Sequence, residues 1–286
     1  MDIRLIYMSH ARKTLSTPNM EISYLEWNQG HQPLLLLHGM ADNALVWLSL
    51  GDYLSPNYHI IAPDMRGHGN SSKPETDYSF TSAIADLEAL MNSLGWLSAN
   101  VVSHSWTGKL AAIWARQNPG RLKTMTLVDP IFIWKMPSVL KLIFPLLYNV
   151  LPSLQTMGPF SSYEAAEEKI KKLVHFREWN DLQQQVFQGG IEQKPDGTWG
   201  SKFTVAARDG IFDAVLEVAG FIHPVETPTL FVQPEKGVNR QDWQIKPYKD
   251  NLKNLTWKKI PGTHWPFLSN PEEFNLSIAE FLAQAI

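Results

Sequence analysis

The chain is paced by short apolar runs, each stopped by turn residues and separated from the next by a helical pattern. The runs are MEISYLEWN (20–28), PLLLLHG (33–39), HIIAPD (59–64), ANVVSHS (99–105), LKTMTLVDP (122–130), TPTLFVQP (227–234) and LTWKKIPG (255–262). The first alternates, as a half-exposed strand does. The others carry too little polar alternation for that and predict strands largely buried on both faces. Between them, SFTSAIADLEALMNSLGW follows a Ser/Thr cap with apolar residues at helical spacing. NPEEFNLSIAEFLAQAI opens on Asn-Pro with early glutamates, the pattern of a helix start. Strand–helix–strand repetition predicts an α/β protein: a mostly parallel central sheet with helices on both faces.

The rhythm breaks between 134 and 222. Residues 134–222 are therefore read as a helical cap inserted over the sheet's C-terminal edge, where ligands bind in such sheets, and 1–133 with 223–286 as the core. The most apolar stretch, IFIWKMPSVLKLIFPLLYNVLPSL (131–154), holds two lysines and three prolines. That argues for helices with one apolar face covering a cleft and against stable membrane insertion.

Composition narrows the chemistry. A net charge of −3 without a dense Lys/Arg block excludes nucleic acid as the main partner. The absence of cysteine removes thiol catalysis, disulfides and cysteine-ligated metals, and fits a cytoplasmic protein. The first twenty residues lack the apolar core and cleavage site of a secretory leader. No H-E-x-x-H or comparable ligand spacing occurs, so neither metal nor cofactor is expected, and the G-x-G of RGHGNSS lacks dinucleotide spacing.

One serine sits where strand character turns abruptly into helix character. In VVSHSWTGKL, Ser105 is placed on the connecting turn, with small residues Ser103 and Thr107 two positions away on each side. A turn this sharp strains the backbone at the serine, lifts its hydroxyl above the sheet and aims a helix N-terminus at it.

SHSWTG resembles the nucleophile elbow, G-x-S-x-G, of the α/β-hydrolase family. LLLLHGM resembles that family's oxyanion strand and loop, APDMRGHGNSSKP its D-x-R-G-x-G-x-S turn, and IPGTHWPFLSNPEEF its closing histidine loop. The four segments stand in the family's order, and the resemblance covers about 20–133 and 223–286. Ser103 and Thr107 stand where the pattern has glycines, and Thr107, being β-branched, crowds the turn.

The resemblance implies a nucleophile at Ser105, a general base at His264 and oxyanion donors in the backbone N–H groups of Met40 and Trp106. The family's usual acid position is held by Gly237, which cannot orient an imidazole. Asp129, at the end of the strand after the nucleophile helix, takes that role, with Glu235 as the alternative. His38 and His68 fall in turns where the family's histidines are structural, and His104 is expected only to pack. Trp134, Phe144 and Tyr148 are candidates for the substrate pocket. Arg208 is a candidate partner for a substrate carboxylate or phosphopantetheine phosphate. The implied activity is hydrolysis of a carboxylic ester of a medium-to-large hydrophobic substrate through an acyl-enzyme. Thioester or carbon–carbon bond hydrolysis, a hydroxynitrile-type lyase and a non-hydrolysing ligand receptor on the same fold are the alternatives.

Overall fold

Four consecutive leucines, Leu34 to Leu37, explain why the strand runs lack polar alternation. In the computed structural model, which describes residues 10–28, 30–137, 139–140, 154 and 157–284, all four are fully buried. Successive side chains of a strand point to opposite faces. Leu35 and Leu37 accordingly join one core with Val101, Met125, Leu127 and Phe231, while Leu34 and Leu36 join a second with Val102, Val128, Leu230 and Val232.

The strands are β1 (His10–Ser16), β2 (Glu21–Asn28), β3 (Gln32–Leu37), β4 (Tyr58–Pro63), β5 (Ala99–His104), β6 (Leu122–Val128), β7 (Ile191–Gln193), β8 (Trp199–Ser201), β9 (Thr229–Lys236) and β10 (Leu255–Thr263). Eight of them form one sheet in the order β1-β2-β4-β3-β5-β6-β9-β10. The β1–β2 and β2–β4 pairs are antiparallel and the remaining pairs parallel. Strand order reverses at β3, whose neighbours are β4 and β5, and the crevice at such a reversal lies outside the strands' C-terminal ends.

Helices close both faces. α1 (Leu48–Leu54) contributes Leu50 and Leu54 to the core of Leu34 and Leu36. α2 (Phe80–Ser93), capped by the Ser79 side chain on Ser82 N–H, adds Ile84 and Leu87 to the opposite core, as α3 (Trp106–Gln117) adds Leu110 and Ile113. Each such side chain contributes about 1.5–3 kcal/mol on burial.

Between β6 and β9 lie α4 (Tyr163–Ile170), α5 (Asp181–Gly190), the β7–β8 hairpin and α6 (Val205–Glu217). In the glycine-rich FQGGIEQKPDGTWGS, the first four residues end α5 and residues 191–201 form that hairpin, with Gly197 at φ 85° in its turn. This segment packs onto the core beneath the sheet: Phe203, Ala207, Ile211 and Phe212 belong to the cluster that holds Leu35 and Leu37. α7 (Asp242–Asn251) and α8 (Pro271–Gln284) complete the order. Phe144 and Tyr148 lie outside the described residues. Among the described residues no helix is long and apolar enough to cross a membrane.

Candidate active site

Ser105 stands alone between β5 and α3 at φ 58°, ψ −117°, a conformation that costs a non-glycine residue about 1–3 kcal/mol. Its neighbours hold it there. Ser105 N–H donates to Val128 O at 3.0 Å, and its carbonyl accepts from Gly108 N–H (3.0 Å) and Ile131 N–H (3.1 Å).

The two residues that replace glycine in the elbow each bind a neighbouring strand. Ser103 Oγ donates to Thr126 O on β6 at 2.9 Å. Thr107 Oγ1 accepts His104 N–H at 3.0 Å and, as a donor, faces His104 O (2.8 Å) and Leu37 O on β3 (3.0 Å). Thr107 is fully buried, so its methyl group is accommodated rather than crowding the turn. The tight position is Gly108, where a Cβ would lie 2.7 Å from Pro130 Cβ.

His264 follows β10, and its Nδ1 lies 2.6 Å from Asp129 Oδ2. The Asp129 carboxylate also accepts Val238 N–H (2.7 Å), Asn239 N–H (3.1 Å) and Asn239 Nδ2 (2.9 Å). Burial pushes this carboxyl up, but the His264 ring and these donors outweigh it and hold it below the usual carboxylate range. Glu235 is exposed at the end of β9. A Cβ on Gly237 would stand 2.4 Å from Asp129 Oδ2, so the usual acid position and the Asp129 carboxylate compete for one space.

Met40 follows β3 by three residues, next to Ala41 at φ 63°. Trp106 opens α3, where the first N–H groups of a helix have no partner within it. His38 Nε2 accepts Met65 N–H at 2.9 Å while its Nδ1 faces Gly39 O at 2.7 Å, and His68 Nδ1 faces Arg66 O at 2.9 Å. Burial lowers both rings and keeps them neutral braces of the turns that carry them.

A second polar group behind the site carries no sequence motif. His104 Nε2 lies 2.8 Å from the carbonyl oxygen of His264, its Nδ1 faces Asp42 Oδ2 at 3.4 Å, and Asp42 accepts Trp265 Nε1 at 3.1 Å. His104 thus does more than pack. A histidine–acid pair 62 positions apart leaves no spacing signal to find.

Ser105, His264 and Met40 line one cavity of about 350 Å³, together with Ile131, Ile133, Trp134, Leu154, Phe212 and Trp243. The described lining contains no Asp, Glu, Lys or Arg. Trp134, 37% exposed, stacks on Trp243 with centroids 5.8 Å apart. Arg208, by contrast, pairs with Asp209 (2.8 Å) and is not part of this lining. No group of three His, Cys, Asp or Glu among the described residues is placed to hold a metal ion.

Comparison with known proteins agrees with this frame. The family described as alpha/beta hydrolase fold matches residues 32–158. A soluble epoxide hydrolase of Corynebacterium sp. (strain C12) is 32% identical over 99 residues, 35% of either chain, so the match spans about a third of that relative's length. A serine hydrolase-like protein of Danio rerio is 22% identical over 99% of this chain and 93% of its own. The crystal structure of E-2-(acetamidomethylene)succinate hydrolase superimposes with a TM-score of 0.79 at 21% identity, covering 96% of this chain and 99% of that one. With the family match covering residues 32–158 and the structural likeness running nearly the whole length, the chain has the α/β-hydrolase fold.

Proposed function

We propose that the protein is a serine hydrolase that cleaves a carboxylic ester with a medium-to-large hydrophobic substituent through an acyl-enzyme. The observation that carries this reading is the 2.6 Å contact between His264 Nδ1 and a buried Asp129, on a histidine that shares its cavity with Ser105.

With Nδ1 donating to Asp129, His264 Nε2 is the basic nitrogen. It takes the proton of Ser105 Oγ as the oxygen attacks the ester carbon. The tetrahedral oxyanion accepts hydrogen bonds from the N–H groups of Met40 and Trp106, a kind of contact worth about 10²–10³ in rate per donor. Collapse expels the alcohol, which takes its proton from His264. Water, deprotonated by the same nitrogen, then attacks the acyl-enzyme and restores Ser105. The strain at Ser105 serves this sequence by pre-setting the hydroxyl at the helix end.

The cavity supports the substrate class. An apolar wall without a charged group favours an uncharged, water-averse moiety and leaves a charged one without compensation. Trp134, Leu154 and Phe212 belong to residues 134–222, which act in this reading as a cap over the sheet edge.

A fluorophosphonate probe tests the reaction class: it labels the wild-type protein at Ser105 and fails on Ser105→Ala. A folded wild-type protein that stays unlabelled favours a ligand receptor instead. Turnover of p-nitrophenyl esters of rising chain length, beside matched acyl thioesters, reads the substrate. Faster thioester turnover at every length would replace the ester by the thioester.

A further inference from the structure

We infer that Asp42 and His104 form a second acid–histidine pair whose task is to position the His264 loop against the nucleophile elbow. This rests on the hydrolase reading above and assigns two positioning residues that do not themselves touch the reacting atoms.

His104 ends β5, immediately before Ser105, and is 1% exposed. A carbonyl oxygen only accepts, so the 2.8 Å contact with His264 O puts a proton on His104 Nε2. With Nε2–H committed there, Nδ1 is left facing the Asp42 carboxylate at 3.4 Å, a close contact without a hydrogen bond. Asp42 in turn receives Trp265 Nε1–H at 3.1 Å. Consecutive residues of one loop are therefore tied to different elements: His264, through its carbonyl, to the end of β5, and Trp265, through its indole, to the turn after β3. That turn also carries Met40, two residues before Asp42.

The packing shows that the arrangement is built in. The Gly39 backbone closes over the pair so tightly that a Cβ there would lie 2.4 Å from His104 Nδ1 and 2.9 Å from Asp42 Oδ2. On the far side, His175 from the segment between β6 and β9 stacks on Trp265 with centroids 3.8 Å apart. The elbow, the oxyanion turn and the histidine loop thus meet at one carboxylate.

The consequence for reactivity is geometric. Asp129 holds His264 by one hydrogen bond at Nδ1, and the rings of His104 (centroids 4.5 Å apart) and Trp265 (4.8 Å) pack against the imidazole. Fixing the carbonyl of the same residue and the indole of the next sets the backbone position from which the imidazole projects. Displacing a reacting group by about 1 Å can cost 10²-fold in rate, so a loosened loop lowers turnover.

The test uses Asp42→Asn, His104→Phe and His104→Gln in the full chain, with circular dichroism to show that each is folded. His104→Phe and Asp42→Asn are expected to lower kcat about tenfold or more with KM within about twofold, and to slow fluorophosphonate labelling of Ser105 by the same factor. His104→Gln, whose amide can donate to the His264 carbonyl, is expected to recover part of the loss. The downfield proton resonance of His264 Nδ1–H is expected to move or broaden in His104→Phe. A folded variant with wild-type kcat and an unmoved resonance overturns the inference, as does a rise in KM with kcat intact. Should His104→Phe fail to fold, the near-isosteric Asp42→Asn carries the same readouts. Absence of labelling in the wild-type protein would sink the hydrolase reading instead. The resonance is read without turnover, which keeps the two failures apart.

Discussion

The ends of β6 and β9 lie side by side in the sheet, with Val128 opposite Val232, yet they bring different things to His264. β6 is followed at once by Asp129, buried, at φ 40°, with its carboxylate against the ring. β9 runs on to Gly237, which has no side chain, then to Val238 and Asn239, which donate N–H groups to that same carboxylate. One strand supplies the charge and the other supplies its solvation. What the imidazole requires is a carboxylate at a point in space, and two neighbouring strands can each reach that point, but not both at once.

The comparison can be broken most forcefully at its charged end. Asp129→Asn is expected to lower kcat about ten-thousand-fold, the cost of leaving the histidine in the wrong tautomer, while Glu235→Gln leaves turnover unchanged. The reverse result in steady-state assays would move the acid to Glu235.

Removing the donor strand's contribution has a smaller effect. Asn239→Leu deletes side-chain bonds to Asp129 and to Pro130 O. An unsatisfied group of this kind costs about 1–3 kcal/mol, so kcat/KM is expected to fall roughly tenfold. Gly237→Asp places two carboxylates in one space and is expected to cost about 1–3 kcal/mol through overpacking, read as a lower melting temperature. Combined with Asp129→Gly, the same substitution is expected to return part of the activity that Asp129→Gly alone has lost. No return would mean that the β9 position cannot reach His264.

The smallest effect concerns the chain beyond β6. Lys109, buried on α3, donates to Trp134 O (2.8 Å) and Val215 O (2.6 Å), and burial lowers its amine to about 7. Below its unfolded value of 10.5 the unfolded chain binds a proton that the folded chain takes up only near 7. Stability contributed at this site therefore rises with pH across that window and is level below it. Lys109→Met is expected to flatten the rise, measured as the wild-type minus variant difference in unfolding free energy at about pH 7.5 and pH 9.5.

β2, read as half-exposed, is buried from Ile22 to Trp27, and β10, read as buried on both faces, is an edge strand that buries only Ile260 and Thr263. The sheet was nonetheless legible, since each of the seven apolar runs became a strand, Leu34–Leu37 most clearly. β1 was not, since HARKTLS is polar and mostly exposed, as suits an edge, and its place is set by pairing with β2. The β7–β8 hairpin was missed for a related reason, two strands of three residues being too short to show a period. In the site, the glycine at 237 pointed to a carboxylate elsewhere, and only the 2.4 Å collision shows why a side chain at 237 and the Asp129 carboxylate cannot share that space. Thr107 looked merely bulky, because a sequence shows the methyl and not the strand its hydroxyl will reach. His104 was hidden altogether, since its acceptor is a carbonyl 160 residues away.

The Thr107 hydroxyl bears on when the elbow around Ser105 takes its shape. It joins the elbow to Leu37, a residue 70 positions earlier, and the contact exists only once β3 and β5 lie together. A nascent or half-assembled chain lacks that tether and carries an ordinary hydroxyl at 105. In the proposed serine-hydrolase reading, reactivity at Ser105 is therefore armed only by completion of the fold.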